Sequence, residues 1–230
     1  MEKGSLSIHS ENIMPIIKKW LYSDTDIFLR ELISNAVDAI TKLKKMSEFG
    51  EIDSIPDDEN YSVKVLVDKQ NKQIIFEDNG IGMTADEIRE YINQIAFSGA
   101  TSFLEKYKDQ SDSSNEIIGH FGLGFYSSFM VSDKVRIDSL SYKPDSAAAG
   151  WECDGGTEYT MGESGKTTRG TTITLFVNDE SAEFLEVWKI RSILIKYCGF
   201  VSVPIYLEEI KPADATTDST IDQSENKTVE

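Results

Sequence analysis

Between residues 61 and 96 the chain changes its apolar period from two to that of a helix, across a corner with two glycines. Val63, Val65 and Val67 alternate with polar residues, so 61–68 reads as a strand. A turn at 69–72 and a second strand at 73–76 make it a hairpin. Then comes Asp78-Asn79-Gly80-Ile81-Gly82-Met83, followed at once by Thr84-x-x-Glu87. The last four residues form a capping box and predict a helix to about residue 96. Asn79-Gly80 is also the signature of a type I′ hairpin turn. A hairpin would need a strand after Gly82, where the helix signal stands instead. The segment therefore specifies strand, glycine corner, helix, and glycines at such a corner let a flat ligand approach the backbone.

The flanking segments limit the architecture further. Helices are expected at 10–22, with Ile13, Ile16, Ile17, Trp20 and Leu21 in phase, and at 26–46, with Phe28, Leu32, Ala36, Val37, Ile40 and Leu43. From 97 to 119 no period holds beyond a short helical piece at 102–107, and 109–116 is rich in Ser and Asp. So long an irregular stretch inside a compact domain is usually functional or disordered. A helix entered through glycines is expected at 121–131. Strands follow near 134–142, 149–153 and 171–177, then a helix at 182–197 and a last strand at 201–207. This order is not the alternation of a doubly wound fold. It predicts an α+β domain, an antiparallel or mixed sheet with helices on one face.

Charge and cysteine usage exclude several functions. Of 230 residues 40 are acidic and 23 basic, a net charge of −17, which disfavours nucleic acid and anionic membranes as partners. No apolar run spans a bilayer and no secretory signal is visible at the start, so a cytoplasmic location is expected. Cys153 and Cys198 have no CxxC spacing and read as reduced, buried thiols. The 212–230 segment has no aromatic residue and five acids, so it reads as an acidic, flexible linker outside a domain of 1–211, toward a further domain.

Five local features could carry chemistry. Gly165-Lys166-Thr167 looks like the end of a phosphate-binding loop, but Thr160 stands where the first glycine belongs and a β-branched strand follows, so a hairpin turn is expected. Glu31, Asn35 and Asp38 share one helical face. Alone they are a solvated stripe, but a carboxylate one turn from an amide oxygen also suits a water-activating base beside a Mg²⁺ ligand. An ionised Asp78 at a pocket floor could accept a hydrogen bond from an exocyclic amine and so select adenine. Gly119-His120-Phe121-Gly122-Leu123-Gly124-Phe125 is a flexible hinge, an anion site at a helix start, or both. Arg169-Gly170-Thr171 is ordinary turn chemistry, or it brings a hydroxyl beside Asp78. His120 is expected to pack rather than to bind metal.

In this order the motifs resemble the GHKL ATPases, the superfamily of gyrase, ninety-kilodalton heat-shock chaperones, histidine kinases and mismatch-repair MutL. The words YSDTDIFLRELISNAVDAITKL, DNGIGMT, IAFSGATSFLEKY and IGHFGLGFYSSFMVSDKV narrow the likeness. They are similar to the N-terminal domain of the ninety-kilodalton heat-shock chaperones, most of all the bacterial HtpG type, over about 7–207. The resemblance implies a Bergerat fold, a two-layer α/β sandwich with an ATP lid at 97–119. It implies ATP or ADP with Mg²⁺ as ligands, with Glu31 as general base and Asn35 as Mg²⁺ ligand. Asp78 would accept from the adenine amine with Thr171 in support, Gly82 and Met83 would wall the adenine, and Asp38 would lie near sugar and phosphates. Ile92 would join the nucleotide-contacting set, and Gly119, Gly122, Gly124 and Phe125 would cradle phosphate. Phe97 stands where the family carries Lys, and Tyr91 where a smaller polar residue is common.

The function so implied is ATP binding and hydrolysis in a cytosolic chaperone. Unfolded or partly folded clients would be partners, a homodimer would form in the full-length protein, and a middle domain would supply a catalytic Arg. The fragment alone would hydrolyse weakly. Two other readings stand beside it. One is another GHKL enzyme, a histidine kinase or DNA-processing ATPase. The other is a pseudo-ATPase module that binds nucleotide and works by dimerising.

Overall fold

The computed structural model describes residues 24–52, 60–94 and 123–211. The expected helix at 10–22, the lid with its helical piece, His120, Phe97, and the acidic 212–230 segment lie outside them. Helix α1 (Ile27–Glu48) buries Phe28, Leu29, Leu32, Ile33, Ala36, Val37, Ile40 and Leu43, the stripe that its period predicts. Strands β1 (Val63–Asp68) and β2 (Gln73–Asp78) pair antiparallel in a hairpin, and Val63, Val65, Val67, Ile74 and Phe76 point into the core. Helix α2 (Ala85–Tyr91) starts on Thr84, with both hydrogen bonds of the capping box formed. It ends with its cap at Ile92, earlier than the apolar pattern suggests.

The chain re-enters the described region in a 3-10 helix, Gly124–Met130, where an α-helix was expected. Serines explain the tighter turn in part: Ser127 and Ser128 donate back to the carbonyls of Gly124 and Phe125 at 2.5 and 2.7 Å. Strands β3 (Ser132–Leu140), β4 (Ala149–Cys153), β5 (Tyr159–Glu163) and β6 (Gly170–Val177) follow. A second 3-10 helix, Asp179–Leu185, is capped by Asn178. Extended backbone at Glu186 (ψ 119°) separates it from α3 (Val187–Cys198), so the single helix expected at 182–197 is two. The last strand is β7 (Ile205–Glu209).

Among the described residues the strands form one seven-stranded sheet in the order β5-β4-β3-β6-β2-β1-β7. All pairings are antiparallel except β1 with β7. Because β5 and β6 are not neighbours, the Gly165-Lys166-Thr167 segment is not a hairpin turn. It carries the chain from the sheet edge across to β6. Alternate side chains of β1, β2, β3, β4 and β6 bury against α1, α3 and the 3-10 helices, and each fully covered Val, Ile or Leu contributes about 1.5–3 kcal/mol. The sheet is thus covered by helices on one face, the α+β sandwich that the sequence predicts. Cys153 and Cys198 are buried and not joined in a disulfide, and no described helix is long and apolar enough to cross a membrane.

Candidate functional site

Three pieces of chain meet along one side of α1. The first is α1 itself. Glu31 and Asn35 are half-buried, and Asp38 is buried at 5% exposure. The Arg30 guanidinium donates to Glu31 Oε1 through Nε at 3.2 Å and through a terminal nitrogen at 2.6 Å. One turn beyond Asp38, burial pushes the Lys42 ammonium below its usual pKa while the Asp38 charge pulls it up. Lys42 thus extends the face, a residue that the motif reading passed over.

The second piece is the glycine corner. The Ile81 amide donates to the Ala39 carbonyl at 3.1 Å, which seats the corner on α1 one turn past Asn35. A methyl on Gly80 would lie 2.7 Å from the Ala39 carbonyl carbon, so only glycine allows this approach. Gly82 has φ +63°, and a Cβ there would fall 1.9 Å from the Leu140 carbonyl oxygen. Asp78, the last residue of β2, faces Thr171 across the β2–β6 ladder. Its carboxylate accepts from the Gly80 amide at 2.8 Å and from the Thr171 amide. Asp78 keeps some solvent exposure, yet burial of the carboxyl itself dominates and raises its pKa to about 7. The two amides and the charges of Lys166 and Arg169 oppose that rise.

Two residues hold this corner: Ser139, which sequence reasoning missed, and Arg169, which it read only as part of a turn before Thr171. Ser139 is fully buried, accepts from the Met83 amide at 2.8 Å, and shares a hydrogen bond of 2.9 Å with the Thr171 hydroxyl. Thr171 therefore reaches Asp78 through its amide, while its hydroxyl bonds Ser139. The signal was a serine at an inward position of β3, in phase with Val135 and Ile137. Arg169 donates to the carbonyls of Gly80 and Asn79, each at 3.1 Å, and so clamps the corner from the β6 side. Asn79 accepts from the Ser62 amide at 3.0 Å and donates to the Asn60 carbonyl at 2.9 Å.

The third piece is the 3-10 helix. Gly124 lies against Glu31 so closely that a Cβ would come within 2.4 Å of Glu31 Oε2. Phe125 is buried in an aromatic cluster, edge-on to Tyr126, Phe129 and Trp151 at 5.5, 6.2 and 5.7 Å. Ile92 is buried at the end of α2. Gly119 and Gly122 lie outside the described residues.

A model of the histidine kinase-, DNA gyrase B- and HSP90-like ATPases matches residues 22–156, a span that holds all three pieces except β6. The chain belongs to this ATPase family. An ATPase domain of this family implies that the chain binds nucleotide. Curated relatives agree. The chain is 51% identical over 205 residues to the chaperone protein HtpG of Bacteroides thetaiotaomicron and 50% identical over 204 residues to that of Porphyromonas gingivalis. Each alignment covers 89% of this chain and 29% of the relative. HtpG of Rickettsia rickettsii is 42% identical over 206 residues, 89% of this chain and 33% of the relative. The chain thus spans about three tenths of the length of these relatives.

For a metal in this family site, the donor set is informative. Among the described residues no group of three or more His, Cys, Asp or Glu could hold one. The face offers one amide oxygen, on Asn35, between two carboxylates. That suits a hard cation that takes most of its ligands from phosphate oxygens and water.

Proposed function

We propose that this chain is the Mg²⁺-dependent, ATP-binding and hydrolysing domain of a cytoplasmic chaperone of the HtpG kind. The observation that carries the reading is the docking of the Asp78–Gly82 corner on α1 at Ala39, beside Glu31, Asn35 and Asp38. Asp78 accepts from the adenine amine, while Gly82, Met83 and Ile92 wall the base. Thr171 supports Asp78 from β6. Asp38 and Lys42 face the sugar and phosphates, and the hinge glycines Gly119, Gly122 and Gly124, with Phe125, hold the phosphate end. Asn35 would hold Mg²⁺, which would neutralise phosphate charge within a chain of net charge −17. Glu31 holds and orients the attacking water and takes its proton. In this reading the full-length protein is a homodimer that acts on unfolded clients. A middle domain lends an Arg, so hydrolysis by this domain alone is weak. Neither nucleic acid nor membrane is a partner.

The test is Glu31→Ala. Calorimetry with ATP should show binding within about twofold of the parent, and turnover in the full-length protein should be lost. Lost binding would make Glu31 a structural residue. A second reading, nucleotide binding without hydrolysis, is favoured by one contact: Arg30 engages the Glu31 carboxylate. A full-length protein with no steady-state ATPase activity would support it.

A further inference from the structure

Two hydrogen bonds cross from the end of α2 to elements that follow much later in the chain. The Tyr126 hydroxyl donates to the Ile92 carbonyl in a buried contact. Trp151 Nε1 donates to Asn93 Oδ1 at 2.9 Å. The amide nitrogen of Asn93 is buried with no acceptor among the described residues, so this asparagine holds the indole while its own donor goes unmet. Phe125 fills the angle between the two donors, edge-on to both rings. Trp151 also stacks on Tyr159, at 6.3 Å. The turn that carries Tyr126 begins at Gly124, where a Cβ would fall 2.4 Å from Glu31 Oε2. One short helix is thus bonded on one side to the end of α2 and lies on the other beside the Glu31 carboxylate of α1.

We infer that Tyr126 and Trp151 are positioning residues: Tyr126 ties the 3-10 helix of Gly124 to Ile92, Trp151 ties β4 to Asn93 and backs Phe125 of that helix, and together they set where the phosphate end of the site stands relative to the base end. The inference rests on the nucleotide site proposed above and deepens it. Tyr126 meets the base wall through the backbone carbonyl of Ile92, not through its side chain, and neither residue belongs to α1. Burial holds the Tyr126 phenol at a pKa of about 12, so it remains a neutral donor at any working pH and the tie does not switch.

The experiment compares two ligands on the 230-residue chain. Adenosine reads the base corner alone. A non-hydrolysable ATP analogue with Mg²⁺ reads both ends. Calorimetric affinities are measured for the parent, Tyr126→Phe and Trp151→Phe, both of which keep an aromatic ring in the cluster. Adenosine affinity should stay within about twofold while the analogue weakens about fivefold in each variant, an effect no larger than the whole worth of one buried hydrogen bond. Unchanged analogue affinity in both variants overturns the inference. So does an equal loss for adenosine and analogue, which is the mark of general loosening. A parent chain that binds the analogue but not adenosine would refute the base corner assignment and the inference with it. Intact adenosine binding with no selective loss of the analogue would refute the tie alone.

Discussion

Asp78 is a case in which the proposed function and stability pull in opposite directions, and Asp78→Asn measures the conflict. Its folded pKa is about 7 against an ordinary 3.8, raised chiefly by burial. A carboxyl with a raised folded pKa binds its proton more tightly in the native state than in the unfolded chain. Native stability therefore falls as pH rises from about 4 to about 7. At 1.36 kcal/mol per unit, the fully charged form costs up to about 4 kcal/mol above pH 8. Asparagine removes that cost but offers the Gly80 and Thr171 amides one weaker acceptor oxygen in place of a carboxylate, a loss of about 1 kcal/mol for each bond. The variant should be about 1–3 kcal/mol more stable than the parent at pH 8 and no more stable below pH 4. Urea unfolding of both proteins across pH reads this directly. The same change removes a charged acceptor worth about 1.5–3 kcal/mol, so adenosine should bind roughly 10- to 150-fold more weakly. Parallel stability profiles with no gain at pH 8 would refute the burial argument. Unchanged adenosine affinity would refute the role given to Asp78.

Further outcomes follow from the same geometry. Gly124→Ala puts a methyl 2.4 Å from Glu31 Oε2; full-length turnover should fall at least tenfold, a loss of about 1.4 kcal/mol in transition-state stabilisation, with adenosine affinity kept. Unaltered turnover would mean that the contact does not place Glu31. Lys42→Met should weaken a triphosphate about tenfold and adenosine hardly at all, because a cation beside Asp38 is lost; equal effects on both ligands would assign Lys42 to packing. Gly82→Ala forces a side chain onto a backbone with φ +63° and puts its methyl 1.9 Å from the Leu140 carbonyl oxygen; chemical denaturation should show a loss of about 3 kcal/mol or more, and a smaller loss would mean that the corner can move.

Much of this was legible in the residues because local rules and tertiary packing agree there. The capping box at Thr84 forms as spelled, the α1 stripe is the buried face, and the corner after Asp78 is the strand-to-helix turn that Gly80 and Gly82 call for. The misses have physical causes. Strand β5 is an edge with an exposed, glycine-bearing pattern, and its pairing with β4 is all that makes it a strand. The break at Glu186 hides inside continuous helical periodicity, since Asn178 caps a separate short turn that the apolar spacing does not announce. At the candidate site, sequence reading names residues that the structure gathers at the corner and on α1, but not the bonds that hold them there. Ser139 and Arg169 act through long-range hydrogen bonds, separated from their partners by 56 and about 90 residues, which no local pattern records. Gly124 was expected for the freedom of its backbone. Its observed constraint is the absence of a side chain next to Glu31.

The central claim is that one nucleotide bridges the Asp78 corner and the α1 face. A crystal structure of the chain with ADP and Mg²⁺ tests it most directly. The base amine should lie about 3 Å from the Asp78 carboxylate, a normal hydrogen-bond length, with the phosphates and metal over Asn35. A nucleotide bound elsewhere, or turned so that its phosphates meet Asp78, would contradict the account.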